Sequence, residues 1–148
     1  MSSSTSTRAL VLISLVILIY GCSSVSSMML FKKHVYVKNH ILPDVTMKLH
    51  CASRDDDLGV HIIPYGNDWS WTFHPKLFST LFWCNLEWVM PSTKQLMTVH
   101  FDAYDAGHPL EDVNDCDNCV WWAYADGLYH QSRGDKPIKL KHQWVHGN

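Results

Sequence analysis

Apolar and polar residues alternate along most of this chain with a period of two, the spacing of a strand that is buried on one face only. His34-Val-Tyr-Val-Lys38 is a first short strand, and Ile41-Leu-Pro-Asp44 is a turn. Val45, Met47, Leu49 and Cys51 share one face of the next segment, with Thr46, Lys48 and His50 on the other. Gly59-Val-His-Ile-Ile63 is a third strand stopped by Pro64, and Tyr65-Gly-Asn-Asp68 has turn chemistry. Trp69-Ser-Trp-Thr-Phe73 alternates aromatic with small polar until His74-Pro75 breaks it. Phe82, Cys84, Leu86 and Trp88 form the apolar face of the most hydrophobic segment. After a turn at 91–94, Met97, Val99, Phe101 and Ala103 point inward. Cys119-Val-Trp-Trp-Ala-Tyr-Ala125 is followed by Asp126-Gly127, the strongest hairpin signal in the chain, and Leu128-Tyr129 starts the return strand. No segment carries a sustained 3.6-residue stripe. The pattern predicts an all-β, single-domain antiparallel β-sandwich of about seven or eight strands.

The two ends depart from this alternation. Arg8 precedes an apolar run from Ala9 to Tyr20, and Gly21-Cys-Ser-Ser-Val-Ser-Ser27 follows. One positive charge, about a dozen apolar residues and a small-residue exit describe a secretory signal peptide over 1–26. The run is short for a membrane span, which needs about 20 residues. An uncleaved anchor is one rival. A lipobox at Cys22 is another, disfavoured by bulky Tyr20 and a leader poor in basic residues. The domain then runs over 27–148, with a core at 33–129 and a Lys/His-rich tail at 130–148 that is either a last strand carrying Trp144 or a loose end. The expected location is extracellular, with no membrane insertion after cleavage.

Export changes the reading of the cysteines. Of five, Cys22 leaves with the leader, and Cys51, Cys84, Cys116 and Cys119 remain. An even number in an exported chain implies two disulfides with three possible connectivities. Using the two cysteines of Cys116-Asp-Asn-Cys119 singly gives the nested pairing Cys51–Cys119 and Cys84–Cys116; the crossed pairing differs little in reach. A redox pair needs its cysteines at a helix N-terminus, and here strand follows. Zinc needs four placed ligands, whereas Cys51 and Cys84 each stand alone.

Charge excludes one broad class. Loss of Arg8 takes the formal charge from −2 to −3, which offers no general attraction to nucleic acid. All ten histidines follow the leader, so acidity would turn the net charge positive.

Asp55-Asp56-Asp57 lacks the alternate-position acids and the distal glutamate of an EF-hand, and adjacent carboxylates favour exposure. It reads as a polar turn completed by Gly59. His100 and Asp102 share a strand face, but there is no GxSxG elbow, HExxH or phosphate-binding loop. No catalytic, cofactor or metal residue is expected. Seven tryptophans, six tyrosines and five phenylalanines raise a sugar-stacking platform at Trp69, Trp71 and Phe73, against the plainer reading of a core built from large side chains.

Taken in order, these features resemble a known family. They are Val37-Lys-Asn39, Leu49-His-Cys51-x-Ser53-x-Asp55-Asp-Asp-Leu-Gly59-x-His61, Trp69-Ser-Trp-x-Phe73, Thr80-Leu-Phe-Trp-Cys84-x-Leu-x-Trp88, Cys116-x-x-Cys119-x-Trp121 and Asp126-Gly127. From about Lys33 to Tyr129 the chain resembles the plant self-incompatibility S1 proteins, the S-protein homologues. The resemblance implies a small secreted β-sandwich with two disulfides, no enzymatic activity and no cofactor. It also implies a ligand role at a cell-surface receptor, as in pollen–pistil recognition. The long Lys/His-rich tail and the lack of a glycosylation sequon set this chain apart. The expected recognition surface is the loops 54–58, 65–68, 91–95 and 105–115, with Arg54, Asp55, Asp56 and Asp57 as the candidate recognition loop. The competing readings are a secreted hydrolase and a carbohydrate-binding module using Trp69, Trp71 or Trp83.

Overall fold

Each alternating segment becomes a strand whose apolar side turns to a shared interior. The computed structural model describes residues 31–76, 78–107 and 116–147. The signal segment and residues 108–115 of the last expected loop lie outside the described residues. In chain order the strands are β1 Lys33–His40, β2 Met47–Ser53, β3 Asp57–Ile63, β4 Asp68–Phe73, β5 Leu81–Val89, β6 Leu96–Asp105, β7 Asn118–Tyr124, β8 Gly127–Gln131, β9 Lys139–His142 and β10 Val145–His146. They form two five-stranded sheets, ordered β4-β1-β7-β8-β9 and β10-β6-β5-β2-β3. All pairings are antiparallel except β1 with β7, which is parallel.

The all-β sandwich is as expected, with two strands more than the alternation shows. Both extra strands come from the tail, which is not loose. β9 joins the first sheet and β10 the second, so residues 139–146 strap one sheet to the other. Trp144 is the fastening: its indole N–H donates to Tyr124 O at 2.9 Å, and its ring meets Trp88 edge-on at 5.6 Å. Short edge strands rich in lysine carry too few apolar positions to reveal a period.

The core comes from both inner faces. Val35, Val37, Met47, Leu49, Leu86 and Leu128 are wholly buried. Trp121 of β7 reaches the opposite sheet. The register between β5 and β6 shifts between Phe82 and Trp83, pairing them with Tyr104 and Asp102 and leaving Ala103 unopposed. A bulge frees a backbone group from the ladder. Here the Ala103 carbonyl accepts the Trp121 indole N–H at 3.1 Å.

The disulfides correct the nested pairing. Cys51 bonds Cys84, and Cys116 bonds Cys119. Cys51 and Cys84 face each other across β2 and β5, with Cα atoms 4.1 Å apart. Cys119 belongs to the other sheet, beside Val35. The nested pairing would have had to bridge the layers.

The hairpin at Asp126-Gly127 forms one residue earlier than its signal. Tyr124 pairs with Gly127, so Ala125 and Asp126 make the turn and Gly127 opens β8. Glycine is required there by close packing: a Cβ would lie 2.7 Å from the His142 carbonyl oxygen on β9.

One buried polar side chain organises the end of the sandwich near the β1–β2 turn. Asn39 is fully buried. Its amide donates to Val45 O at 2.9 Å and to Ile63 O at 2.8 Å, and its Oδ1 accepts from Ile41 N at 3.1 Å. Backbone groups buried without partners are expensive. Asn39→Ala strands three of them and is expected to destabilise the fold by roughly 2–3 kcal/mol. Urea unfolding measures this, and a loss under about 0.5 kcal/mol would refute the clamp.

Candidate functional site

The candidate recognition loop is built from its own backbone chemistry. Ser53 ends β2, and its Oγ accepts from Asp56 N at 3.0 Å and Asp55 N at 3.3 Å, while Ser53 N donates to Asp56 O at 2.7 Å. These bonds turn the chain sharply. The Asp57 carboxylate then accepts from Gly59 N at 2.9 Å and from His50 Nε2 at 2.7 Å. Gly59 sits at φ +77°, where a side chain would be strained. The β2–β3 register slips between His50 and Ala52 to accommodate this bulge. Asp57 therefore braces the loop from its surface, and all three aspartates are exposed.

Asp55 is shared by two cations: Arg54 Nε at 3.4 Å and Lys76 Nζ at 3.7 Å. These groups are well exposed, so their attraction is screened and small. Lys76 belongs to the 74–80 connection between β4 and β5. That connection and residues 53–56 enclose a cleft of about 290 Å³, whose walls include Ser53, Asp56, His74, Thr80 and Trp83. The 74–80 segment was absent from the expected recognition surface. His74-Pro75 and the Ser79-Thr80 pair were its sequence signal, legible only as a strand break.

The four expected loops do not form one surface. Ser53 pairs with Phe82, and Leu81 with Asp105, which places residues 54–58 and the start of 105–115 at one end of the sandwich. Met47 pairs with Ile63, and Val89 with Leu96, which places 65–68 and 91–95 at the opposite end. At the first end, His74, Lys76, Ser79 and Thr80 share the cleft with the acidic tip, and Ala106 N donates to Thr80 O at 2.8 Å.

The Asp57 carboxyl is held below the usual carboxylate range, first by the Gly59 N–H and then by the His50 hydrogen bond. The Asp117 carboxyl is lowered likewise, by Lys33, whose Nζ lies 2.8 Å away. A carboxylate depressed in the folded state stabilises the fold above its unfolded-state pKa. That contribution is lost as pH falls through the lower folded-state value, a window below about pH 4. Asp57→Asn is expected to flatten the acid limb of stability against pH, leaving the Asp117 share in place. Urea unfolding between about pH 2 and 5 reads this directly; an unchanged limb would remove Asp57 from the brace.

The residues proposed for the competing chemistries go elsewhere. His100 Nδ1 is hydrogen-bonded to Asn85 Oδ1 at 2.8 Å, across the strands. Ser53 Oγ, the hydroxyl nearest the His50–Asp57 pair in sequence, is engaged by backbone N–H groups. Among the described residues no three His, Cys, Asp or Glu side chains converge on a metal position. Trp71 is buried, and Trp69 and Phe73 are half-buried in the core. Trp69 stacks on His61 at 3.7 Å, Trp71 lies 5.7 Å from Phe82, and Phe73 lies 4.6 Å from Phe82 and 4.9 Å from Tyr104. The β4 aromatics are therefore interior packing and offer no flat exposed row.

Fold and site together define a two-layer, disulfide-linked β-sandwich that presents a braced acidic tip. Comparison with known proteins takes the assignment further. The family description "Plant self-incompatibility protein S1" matches residues 34–144. The chain is similar to S-protein homolog 24 of Arabidopsis thaliana, 37% identical over 69% of this chain and 63% of that protein. It is also similar to S-protein homolog 6, 35% identical over 69% of this chain and 70% of that one, and to S-protein homolog 5, 34% identical over 63% and 66%. The alignments thus span about two thirds of each of these relatives. A solved structure described as an SPH (self-incompatibility protein homologue), from a widespread family of small, highly stable, secreted plant proteins, superposes with a TM-score of 0.56. It covers 80% of this chain and 98% of its own at 19% identity, which is a likeness of fold. This chain belongs to the plant self-incompatibility protein S1 family.

Proposed function

We propose that this protein is a small secreted ligand that binds a cell-surface receptor protein through the acidic tip formed by Arg54, Asp55 and Asp56 beside the 74–80 segment. The observation that carries this reading is the division of labour within the Asp triplet. Asp57 is spent on holding the loop, and Asp55 and Asp56 are presented to solvent on a braced turn. A recognition loop fixed before binding loses little conformational freedom on docking. Exposed carboxylates steer a basic partner and set the association rate. Family membership and the secreted character described for the solved relative support export. The two disulfides accord with an oxidising compartment.

The test is affinity capture from target-cell membranes with the oxidised domain, set beside an Arg54→Ala/Asp55→Ala/Asp56→Ala variant. The wild type is expected to retain a membrane protein, and the triple variant to lose at least tenfold in capture with its melting curve unchanged. Equal capture by both would reject the tip. Turnover of a wall polysaccharide with no protein captured would reject the ligand reading altogether.

A further inference from the structure

The tail strap is held less firmly than the strands it joins. Among residues 139–146 only Lys141, His142 and Trp144 are partly buried, and the apolar Leu140 and Val145 are exposed. Backbone pairing is short. β9 meets β8 at three positions, and β10 meets β6 at two. Two rings therefore supply most of the inward contact. Trp144 is one, and it cannot titrate. His142 is the other, and it lies in the seam where the layers meet. Its ring centroid is 6.2 Å from Phe101 of the second sheet and 6.1 Å from Trp121 of the first. Trp121 carries a second imidazole, His130, at 4.6 Å.

The surroundings of His142 oppose a proton. Phe101 and Trp121 are both in the buried core. Burial is the main cause that holds the imidazole below its ordinary value; Asp102 on β6 partly offsets it, while Lys141 on β9 and His100 on β6 add to it. Also on or beside the strap are Lys139, His146 and, on β8, His130 and Tyr129, whose hydroxyl is bonded to Asp126. A strap that comes away returns its imidazole to water, where the proton binds at about pH 6.5. The docked ring takes that proton only at lower pH. Docking is therefore fully favoured above about pH 6.5, and is weakened as pH falls through that value toward the folded-state one.

We infer that the tail is an acid-operated latch: a proton taken up at His142 releases residues 139–146 from the seam and opens that side of the sandwich. Release is local. β1 to β8 keep both sheets and both disulfides, and Trp121 keeps its bond to the Ala103 carbonyl. What opens is the free edge of β8 on one sheet, that of β6 on the other, and the flank of Phe101 and Trp121 between them. β10 pairs at Met97 and Thr98, toward the end of the sandwich opposite the acidic tip. The latch is thus independent of the tip and of the receptor reading.

The experiment is amide hydrogen exchange of the full oxidised domain at about pH 7.5 and about pH 5, corrected for the intrinsic pH dependence of exchange. Protection across 139–146 is expected to fall by about tenfold or more at the lower pH, with β2 and β5 protected at both. His142→Phe puts a ring that cannot titrate in the seam, and should keep the strap protected at both values. His146→Phe, on exposed β10, should leave the response intact. The imidazole C–H resonances of wild-type His142 should titrate with a midpoint below about 6.5, which keeps the test valid if His142→Phe misfolds. Asp102→Asn removes the opposing carboxylate and should move that midpoint lower still. Equal strap protection at both pH values, an unchanged response in a folded His142→Phe, loss of protection through β2 and β5 together with the strap, or a midpoint at or above about 6.5 would each overturn the inference.

Discussion

Trp121→Ala is expected to destabilise the protein by about 4–5 kcal/mol, the largest loss from any single substitution considered. The side chain is 1% exposed and lies where the two layers meet. Its ring packs 4.7 Å from Phe101 on the second sheet and 4.6 Å from His130 on the first. Emptying a site of this size removes the transfer energy and leaves a cavity, together about 3–5 kcal/mol for tryptophan. The same change strands the Ala103 carbonyl, freed by the bulge for the indole N–H. The melting temperature should fall by roughly 15–20 °C for a domain of this length. Trp121→Phe keeps one aromatic ring but loses the N–H and part of the indole volume, so an intermediate loss of about 2–3 kcal/mol is expected. Should Trp121→Ala unfold within about 1 kcal/mol of the wild type in urea, the cross-layer role assigned to this residue is wrong.

Removing the Cys51–Cys84 bond ranks second. The bond closes a sequence separation of 33 residues, for which restriction of the unfolded chain is worth about 3–4 kcal/mol. The Cys116–Cys119 bond spans a separation of only 3, and the same reasoning gives it about 2 kcal/mol. Cys51→Ala/Cys84→Ala should therefore melt well below Cys116→Ala/Cys119→Ala. The order is informative because the nested pairing would have enclosed two long loops of similar worth. Non-reducing peptide mapping offers an independent check: the peptide bearing Cys51 should travel with the one bearing Cys84. Recovery of Cys51 with Cys119, or equal melting of the two double variants, would contradict the strand pairing that sets Cys51 opposite Cys84.

These two sites show where a period-two pattern informs and where it is silent. Cys51 and Cys84 each sit on the apolar face of an alternating segment, beside Leu49 and Leu86. Inward direction was thus legible for both. That β2 lies next to β5, with these residues opposite, follows from strand order, which alternation does not encode. The acidic tip was legible as a turn, because Ser, Asp and Gly have local chemistry that acts within a few residues. Its division into a bracing Asp57 and presented Asp55 and Asp56 was not. That division depends on His50 arriving on the neighbouring strand.

By itself, the sequence determined the first eight strands, the inward face of each long strand, the turn at 54–57 and the family resemblance. All of these follow from side chains and backbone interacting with near neighbours, or from spacing along the chain. Only the tertiary structure decided the cystine pairs, the incorporation of the tail as a strap and the split of the expected loops between opposite ends. It also decided which aromatics are interior and which form a surface. Trp71 and Trp122 lie in similar alternating, aromatic-rich segments, yet one packs into the core and the other lies on the outer face beneath a lysine. A strand fixes only that successive side chains point to opposite sides. Which side becomes interior is settled by the layer that comes to lie against it.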